Sequence, residues 1–153
     1  VGEFTIAENL MLDGSFSAPF AKGVQIDFAK RDEIAEKLIE EFDIRTPSAE
    51  TLAKQLSGGN QQKVLLGRWF EAGVNILLLV EPTRGVDVGA RRDIYEIIRK
   101  QAKESGMAVI VSTSDYEEVV LLADRALVMS RGEVVSELSG NAVEASKLIA
   151  AAS

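Results

Sequence analysis

The chain has 153 residues, 17 Lys and Arg against 24 Asp and Glu, and neither cysteine nor histidine. This length suits about one domain with its own core, and the missing cysteines exclude disulfides and cysteine-ligated zinc. A net charge of −7 without a basic stripe disfavours nucleic acid, and no apolar run approaches the ~20 residues of a membrane span.

The first half predicts helices separated by loops. Thr5 can cap a short turn over residues 7–10, a Gly/Ser/Pro-containing loop follows over 13–23, and apolar residues at every fourth position predict a helix over 30–42. Ser48 predicts a short helix through Ala53. Ser57 predicts a longer helix to about Ala72, ended by Gly73, with a buried stripe of Val64, Leu65, Trp69 and Phe70.

The second half alternates strands and helices. Apolar runs predict strands over residues 75–80 and 107–112, and helices are predicted over about 88–104 and 116–122, the second with a capping box between Asp115 and Glu118. Such alternation indicates a parallel sheet covered on both faces. A hairpin over 126–138 and a final helix beginning near Asn141 complete the pattern, and Arg91 and Arg92 are expected on a solvated face.

The octapeptide Leu-Ser-Gly-Gly-Asn-Gln-Gln-Lys at residues 56–63 predicts an anion-facing helix start. Without a Cβ, Gly58 and Gly59 allow backbone N–H groups to approach a phosphate closely, and the helix adds about +0.5 charge at its N-terminus. For a bare Ser-Gly-Gly, a plain Ser57-capped helix would be the better explanation. The full octapeptide favours the phosphate site.

Glu81 closes the strand over residues 75–80, at the edge where open α/β sheets bind ligands. A carboxylate there can orient or deprotonate a water that attacks a γ-phosphate. Asp87 can cap the helix that follows, and Ser114 follows the next strand at the same edge. For Ser114, a ligand contact and a simple capping role remain equally open.

At these residues the chain resembles the ATPase subunit of an ATP-binding cassette (ABC) transporter. Leu56–Asn60 resembles the signature loop, Ile76–Glu81 the Walker B strand with its catalytic Glu, Arg84–Asp87 the D-loop and Ser112–Asp115 the switch loop. The run from Glu81 to Ala90 and the Asn-Gln-Gln-Lys ending resemble the second nucleotide-binding half of tandem ATPases that serve ribose-, galactose- and xylose-type importers. The resemblance covers nearly the whole chain.

Three departures from that family accompany the resemblance. No Gly-x-x-x-x-Gly-Lys-Ser/Thr phosphate-binding loop (P-loop) occurs. Val80 stands where the family has the Asp that holds Mg²⁺ through water, so no metal ligand is expected from this position, and Ser114 stands where the family has His. All three affect the site that this half would build with its own P-loop, whereas the signature loop, which in the family closes over nucleotide on the opposite half, is intact.

The resemblance therefore implies an α/β fold: part of a RecA-like P-loop NTPase core with a parallel sheet, plus the ABC helical subdomain, with the P-loop half absent. Residues 1–73 would be the helical subdomain and 74–153 the later half of the ATP-binding core, and a start at Val1-Gly2-Glu3 without Met suggests a fragment. It implies Glu81 and Ser114 as catalytic residues of the complete ATPase, and Gly85 and Asp87 as D-loop contacts. It also implies Ser57, Gly58, Gly59 and Asn60 as ATP contacts made in trans.

ATP and Mg²⁺ are the cofactors implied for the complete protein, and this chain alone is expected to be inactive. The implied partners are the other nucleotide-binding half and the transmembrane permease subunits, at the cytoplasmic face of the inner membrane of a bacterial-type importer. Two alternatives remain open: a non-catalytic binding module, and a soluble ABC ATPase that does not serve transport. The acidic charge and the Arg-Gly-Val-Asp-Val-Gly run at residues 84–89 argue against the second alternative.

Overall fold

The computed structural model describes residues 1–14, 19–22 and 25–152. The helices are α1 (Ile6–Met11), α2 (Phe28–Glu41), α3 (Gly58–Glu71), α4 (Val88–Ser105), α5 (Tyr116–Leu122) and α6 (Ala145–Ala152). The strands are β1 (Ala21–Lys22), β2 (Gln25–Ile26), β3 (Ile76–Val80), β4 (Ala108–Ser112), β5 (Arg125–Ser130) and β6 (Glu133–Ser139). Short 3-10 helices cover Ala53–Gln55 and Gly140–Ala142.

Local signals account for most helix ends. Thr5 and Glu8 form a full capping box at the start of α1. Asp87 caps α4 by accepting a hydrogen bond from the backbone N–H of Ala90. Gly106 ends α4 in the left-handed region, where a side chain would be strained, and Gly73 adopts the same conformation after α3.

The strands pair in twos. β3 and β4 are parallel, in a register that sets Val80 opposite Ser112. The β5–β6 pair is the predicted antiparallel hairpin. β1 lies in the predicted loop over 13–23 and pairs antiparallel with β2, which follows that loop; residues 15–18 and 23 of the loop lie outside the described residues. The predicted α/β class and parallel pairing are therefore confirmed.

Three apolar clusters hold the elements together. The first joins α1, α2 and the inner side of α3, the second joins α3, β3 and α4, and the third joins the hairpin to α6. Leu66 and Ile94 are fully buried at the centre of the second cluster. This cluster connects the helix that begins at the octapeptide to the strand that ends at Glu81.

One face of the β3–β4 sheet is open. The side chains of Ile76, Leu78 and Val80 are 63–68% exposed, whereas Leu77 and Leu79 are buried against α3 and α4. The expectation of a sheet covered on both faces is therefore wrong for the described residues, because α3 and α4 pack on the same side.

The short helix expected from Ser48 to Ala53 is also wrong. The carbonyls of Ala49 and Thr51 accept hydrogen bonds from the first N–H groups of α1, at 3.0 Å each, and Thr5 forms a bridge with Leu52. These carbonyls satisfy donors that α1 itself leaves unpaired, and the segment forms a turn in which the Thr51 N–H donates to the Ser48 carbonyl at 3.2 Å.

The buried stripe of α3 differs from the expected one. Leu65 is 42% exposed, whereas Leu66 is fully buried. The buried face instead includes Gly59, Lys63 and Gly67, which a count of apolar side chains does not register. Trp69 and Phe70 are partly buried against the second cluster.

Candidate functional site

Glu81 is held at the end of β3 in a left-handed backbone conformation, with φ 47°. Its backbone N–H donates to the carbonyl of Ser112 at 2.8 Å, and its carbonyl accepts from the N–H of Arg84 at 3.1 Å. A positive φ at a residue with a side chain is costly and concentrates at functional sites. The turn therefore presents the carboxylate at the carboxyl edge of the sheet.

The carboxylate of Glu81 contacts the switch loop directly. Its Oε1 accepts hydrogen bonds from both the backbone N–H and the hydroxyl of Ser114, each at 3.0 Å. Its Oε2 lies 3.4 Å from the hydroxyl of Thr113. The structure thus brings together Glu81 and Ser114, the two residues predicted to be catalytic.

Asp115 orders the switch loop. Its carboxylate accepts from the N–H groups of Glu117 and Glu118 at the start of α5, and its other oxygen lies 3.2 Å from the Arg91 guanidinium. Arg91 also donates to the carbonyl of Val86 at 3.0 Å. The expectation of a solvated Arg91 is wrong, because this half-buried side chain joins the D-loop to the switch loop.

The predicted capping box at α5 is only half formed. Asp115 caps the helix, but the Glu118 carboxylate points into the core, where it is 1% exposed and accepts a 2.7 Å hydrogen bond from the Thr83 hydroxyl. The Tyr95 hydroxyl lies 3.1 Å from the same Thr83 oxygen. Burial raises the pKa of the Tyr95 hydroxyl above its usual value.

Val80 precedes Glu81 and is 68% exposed on the open face of the sheet. An isopropyl group offers no ligand to a hydrated cation. Within residues 1–14, 19–22 and 25–152, no three Asp or Glu side chains gather closely enough to hold a metal ion. The side chains present around Glu81 do not by themselves fit a Mg²⁺ site.

Ser57 begins α3 as predicted. Its side chain caps the helix at the N–H of Asn60, and it also accepts a 3.0 Å hydrogen bond from the Asn60 amide. The first helical N–H bonded to a carbonyl is that of Gln61, which donates to Ser57 at 2.9 Å. The N–H groups of Gly58 and Gly59 lie ahead of it, where a helix leaves donors free for an external acceptor.

The signature loop packs against the D-loop of the same chain. Gly59 is buried against the first turn of α4, beside Val86 and Asp87. Gly85 takes a left-handed conformation with φ 78°, so the backbone turns beside Gly58. A cleft of about 370 Å³ adjoins this contact, lined in part by Gly58, Arg84, Gly85 and Val86.

Lys63, the last residue of the octapeptide, forms an ion pair between α3 and α4. Its ammonium is 3.0 Å from the carbonyl of Asp43 and 3.2 Å from a carboxylate oxygen of Asp93, and its side chain is 4% exposed. Sequence reasoning placed Lys63 only at the end of the octapeptide and Glu118 only in a capping box, and it did not single out Thr83 or Tyr95. The signals available were a lysine within an apolar helical stripe and a Glu three residues after a cap.

Comparisons with known proteins found sequence relatives and solved structures of similar fold. No family model matches the chain. It is 45% identical, over 97% of its length, to the arabinose import ATP-binding protein AraG of Rhizobium meliloti. It is 38% identical, over 95% of its length, to the ribose import ATP-binding protein RbsA of Hahella chejuensis.

The fold supports the same relationship. The structure matches a dimeric ATP-binding cassette in a post-hydrolysis state bound to ADP and Pi, with a TM-score of 0.73 and 26% identity over 91% of this chain and 58% of that one. The chain belongs to the ABC ATPase family. It also shares its fold, at a TM-score of 0.77 and 21% identity, with an inward-facing ABC transporter of metal-chelate type, covering 97% of this chain and 58% of that one.

This ABC ATPase chain spans only 29% of the AraG and RbsA relatives described above. Within the described ranges, none of its helices is both long and apolar enough to cross a membrane.

Proposed function

We propose that this chain is part of the second nucleotide-binding half of a tandem sugar-import ABC ATPase, and that its signature loop completes an ATP site on the other half. One observation carries the proposal. The signature loop is intact, with Ser57 and Gly58 exposed at the start of α3, whereas Val80 deprives the chain's own Walker B strand of its metal-binding carboxylate.

The start of α3 suits a phosphate held by another segment. Ser57 and Gly58 are both exposed, so the hydroxyl and the first N–H groups of the helix can reach a partner. The partial positive charge of about +0.5 at the helix start favours an anion there. Ser57, Gly58, Gly59 and Asn60 are the proposed ATP contacts in trans, and Gly85 and Asp87 form the adjoining D-loop.

Glu81 and Ser114 are the proposed catalytic residues of the chain's own site. The Glu81 carboxylate would orient a water near the nucleotide, and the Ser114 hydroxyl lies beside it to hold the carboxylate or a phosphate oxygen. Because Val80 supplies no ligand, we expect Mg²⁺ to be held weakly at this site and turnover there to be slow.

The open face of the β3–β4 sheet supports a further part of the protein that packs on it. Ile76, Leu78 and Val80 form an apolar strip beside Ile110, which is 55% exposed. In a doubly covered parallel sheet such a strip is buried. We propose that a P-loop-bearing part of the same protein covers it and supplies the phosphate cradle.

The names of the sequence relatives suggest the process in which the chain takes part. AraG and RbsA are named as arabinose and ribose import ATP-binding proteins, so monosaccharide import is the proposed process. In this proposal, residues 1–73 form the helical subdomain that contacts the transmembrane permease subunits. Residues 74–153 complete the ATP-binding core, and the protein lies on the cytoplasmic face of the inner membrane.

Replacing Val80 by Asp in the complete importer ATPase tests the proposal. A restored carboxylate should strengthen Mg²⁺ binding about 10-fold or more, within the range by which metal-site partners change affinity, and raise turnover at this half's site. Val80→Asn, of the same shape as Asp but uncharged, is the matched control and should leave both unchanged.

Two results would count against the proposal. The first is an unaltered Mg²⁺ affinity and ATPase rate in Val80→Asp, which would remove the basis for asymmetric sites. The second is Mg²⁺-dependent ATP hydrolysis by the isolated 153-residue chain, because neither a P-loop nor a metal carboxylate would then be needed.

A further inference from the structure

Besides the Arg91 bridge and the backbone bond from Glu81 to Ser112, two side-chain connections join the turn that carries Glu81 to the loop that carries Ser114. The first is exposed and runs through the Glu81 carboxylate itself, at 3.0 Å from Ser114. The second is buried and runs from the Thr83 hydroxyl to the Glu118 carboxylate, at 2.7 Å. Both connections begin within three residues of Glu81 and end within five residues of Ser114.

The buried connection has a defined hydrogen-bond order. The Glu118 carboxylate accepts a hydrogen bond from Thr83, and the Thr83 hydroxyl has only one proton to donate. The Tyr95 hydroxyl, 3.1 Å away, must then donate to Thr83. The chain Tyr95 to Thr83 to Glu118 satisfies all three side chains, and each is at most 6% exposed. Thr83 is the middle member, so its loss removes both hydrogen bonds, whereas loss of the Tyr95 hydroxyl leaves the Thr83–Glu118 bond in place.

Thr83 makes a backbone contact within the turn in addition to its side-chain contact with α5. Its carbonyl accepts from the N–H of Val86 at 3.1 Å, which closes the D-loop. Glu118, at the other end, belongs to the first turn of α5, whose N–H groups are capped by Asp115 of the switch loop. A shift of Thr83 relative to Glu118 would therefore move the Glu81 turn relative to the switch loop.

We infer that Thr83 and Glu118 are positioning residues that keep the Glu81 turn and the Ser114 loop in register when the Glu81 carboxylate turns from Ser114 toward a water. The exposed connection is lost in that movement, because Glu81 is itself one of its partners. The buried one persists. This inference rests on the proposed function for its catalytic consequence, but the register itself does not depend on ATP.

Amide hydrogen exchange on this chain tests the register directly. The Ser114 N–H donates to Glu81, so its protection reports whether the two loops stay aligned. Thr83→Val removes the hydroxyl at nearly constant volume, and exchange at Ser114 should accelerate about 10-fold or more. Thr83→Ser, which keeps the hydroxyl, should retain the original protection.

Controls separate positioning from general loss of stability. The amide of Leu38 in the first apolar cluster should exchange at the same rate in every variant. Tyr95→Phe removes only the outer donor and should change Ser114 exchange less than about threefold. Thr83→Ala, which adds no methyl beside Glu118, gives a second measurement if Thr83→Val folds poorly.

Unchanged Ser114 exchange in both Thr83→Val and Thr83→Ala would overturn the inference, as would equal acceleration at Leu38 or a failure of Thr83→Ser to preserve protection. In the complete ATPase, Thr83→Val should lower kcat at this half's site while KM for ATP stays constant. Faster exchange with an unaltered kcat would leave the register established and instead contradict the proposed role of Glu81 in hydrolysis.

Discussion

Gly59 and Ala90 are packed so closely that a Cβ added to Gly59 would lie 2.6 Å from the Cβ of Ala90. The second glycine of the signature loop is therefore required by contact with α4, in addition to any approach of a phosphate. Gly58 differs, because an added Cβ would meet only the carbonyl oxygen of Gly85 at an ordinary 3.8 Å. The two glycines can be separated by experiment.

We predict that Gly59→Ala destabilises the chain, whereas Gly58→Ala does not. Overpacking costs about 1–3 kcal/mol, and the gain from replacing a helical glycine is about 0.5–1 kcal/mol, so a net loss near ~1 kcal/mol is expected. Urea unfolding measures it. In the double variant Gly59→Ala with Ala90→Gly the stability should recover, and a loss that persists there would contradict the contact explanation.

Lys63 and Asp93 give a second prediction about the same helix pair. Asp93→Asn replaces the charged acceptor of a buried ammonium and should cost about 1.5 kcal/mol, since hydrogen bonds to charged groups contribute that much. Glu96→Gln changes a neighbouring exposed acid on α4 and should stay within about 0.5 kcal/mol of the parent. Equal effects of both variants in urea unfolding would rule out a specific role for Asp93.

The pKa of Glu71 predicts a pH-dependent effect at the end of α3. Burial raises this pKa above its usual value, the nearby Lys37 opposes the rise and Glu41 adds to it. The folded state therefore binds the proton more tightly than the unfolded state, and this stabilisation, complete below the unfolded pKa, is lost as pH rises through the folded pKa. Glu71→Gln should thus be more stable than the parent at pH 7, with the difference shrinking as pH falls through the folded pKa and absent below about pH 4.3.

Thermal or urea unfolding of both proteins from pH 4 to 7 measures this effect. Glu36→Gln, at an exposed position of α2, is a suitable control because its stability relative to the parent should not depend on pH in this way. A constant difference between Glu71→Gln and the parent across the pH range would contradict the burial of this carboxyl.

The asymmetric-site proposal predicts different outcomes for two serines in the complete ATPase. Ser57→Ala removes a hydroxyl from the site on the other half and should lower total ATPase activity about 10-fold or more, as loss of one preorganised donor does. Ser114→Ala affects only this half's weak site and should change total activity less than about twofold.

Ser57→Thr controls for helix capping, because it keeps a hydroxyl at the N-cap. Its activity should stay close to the parent's, while Ser57→Ala also loses about 1 kcal/mol of stability from the cap. Equal losses of ATPase activity in Ser57→Ala and Ser114→Ala would show that the two sites contribute alike.

The elements that the sequence predicted well are those with local causes. The cap at Ser57, the left-handed Gly73 and Gly106, and the apolar runs of β3 and β4 each depend on residues within a few positions. Glu81 and Ser114 were also predicted at one edge of the sheet, because parallel neighbouring strands end there. Their 3.0 Å contact is shown only by the structure.

The failures have distant causes. The segment from Ser48 to Ala53 has helix-compatible residues, but its carbonyls are used by α1, which lies more than 40 positions earlier. Glu118 has the spacing of a capping box, yet its carboxylate bonds to Thr83, 35 residues away. Counting apolar residues also overlooked the buried face of α3, where Gly67 would clash with Phe42 if it carried a Cβ.

The sequence by itself determined the motif set, the element order and the absence of both a P-loop and a Walker B aspartate, because these are properties of neighbouring residues. Only the tertiary structure decided what Gly59, Lys63 and Glu118 contact and which face of the sheet stays open. Those outcomes depend on which surfaces come together across the chain, and burial makes a glycine, a lysine or a carboxylate tolerable only where a specific distant partner fits it.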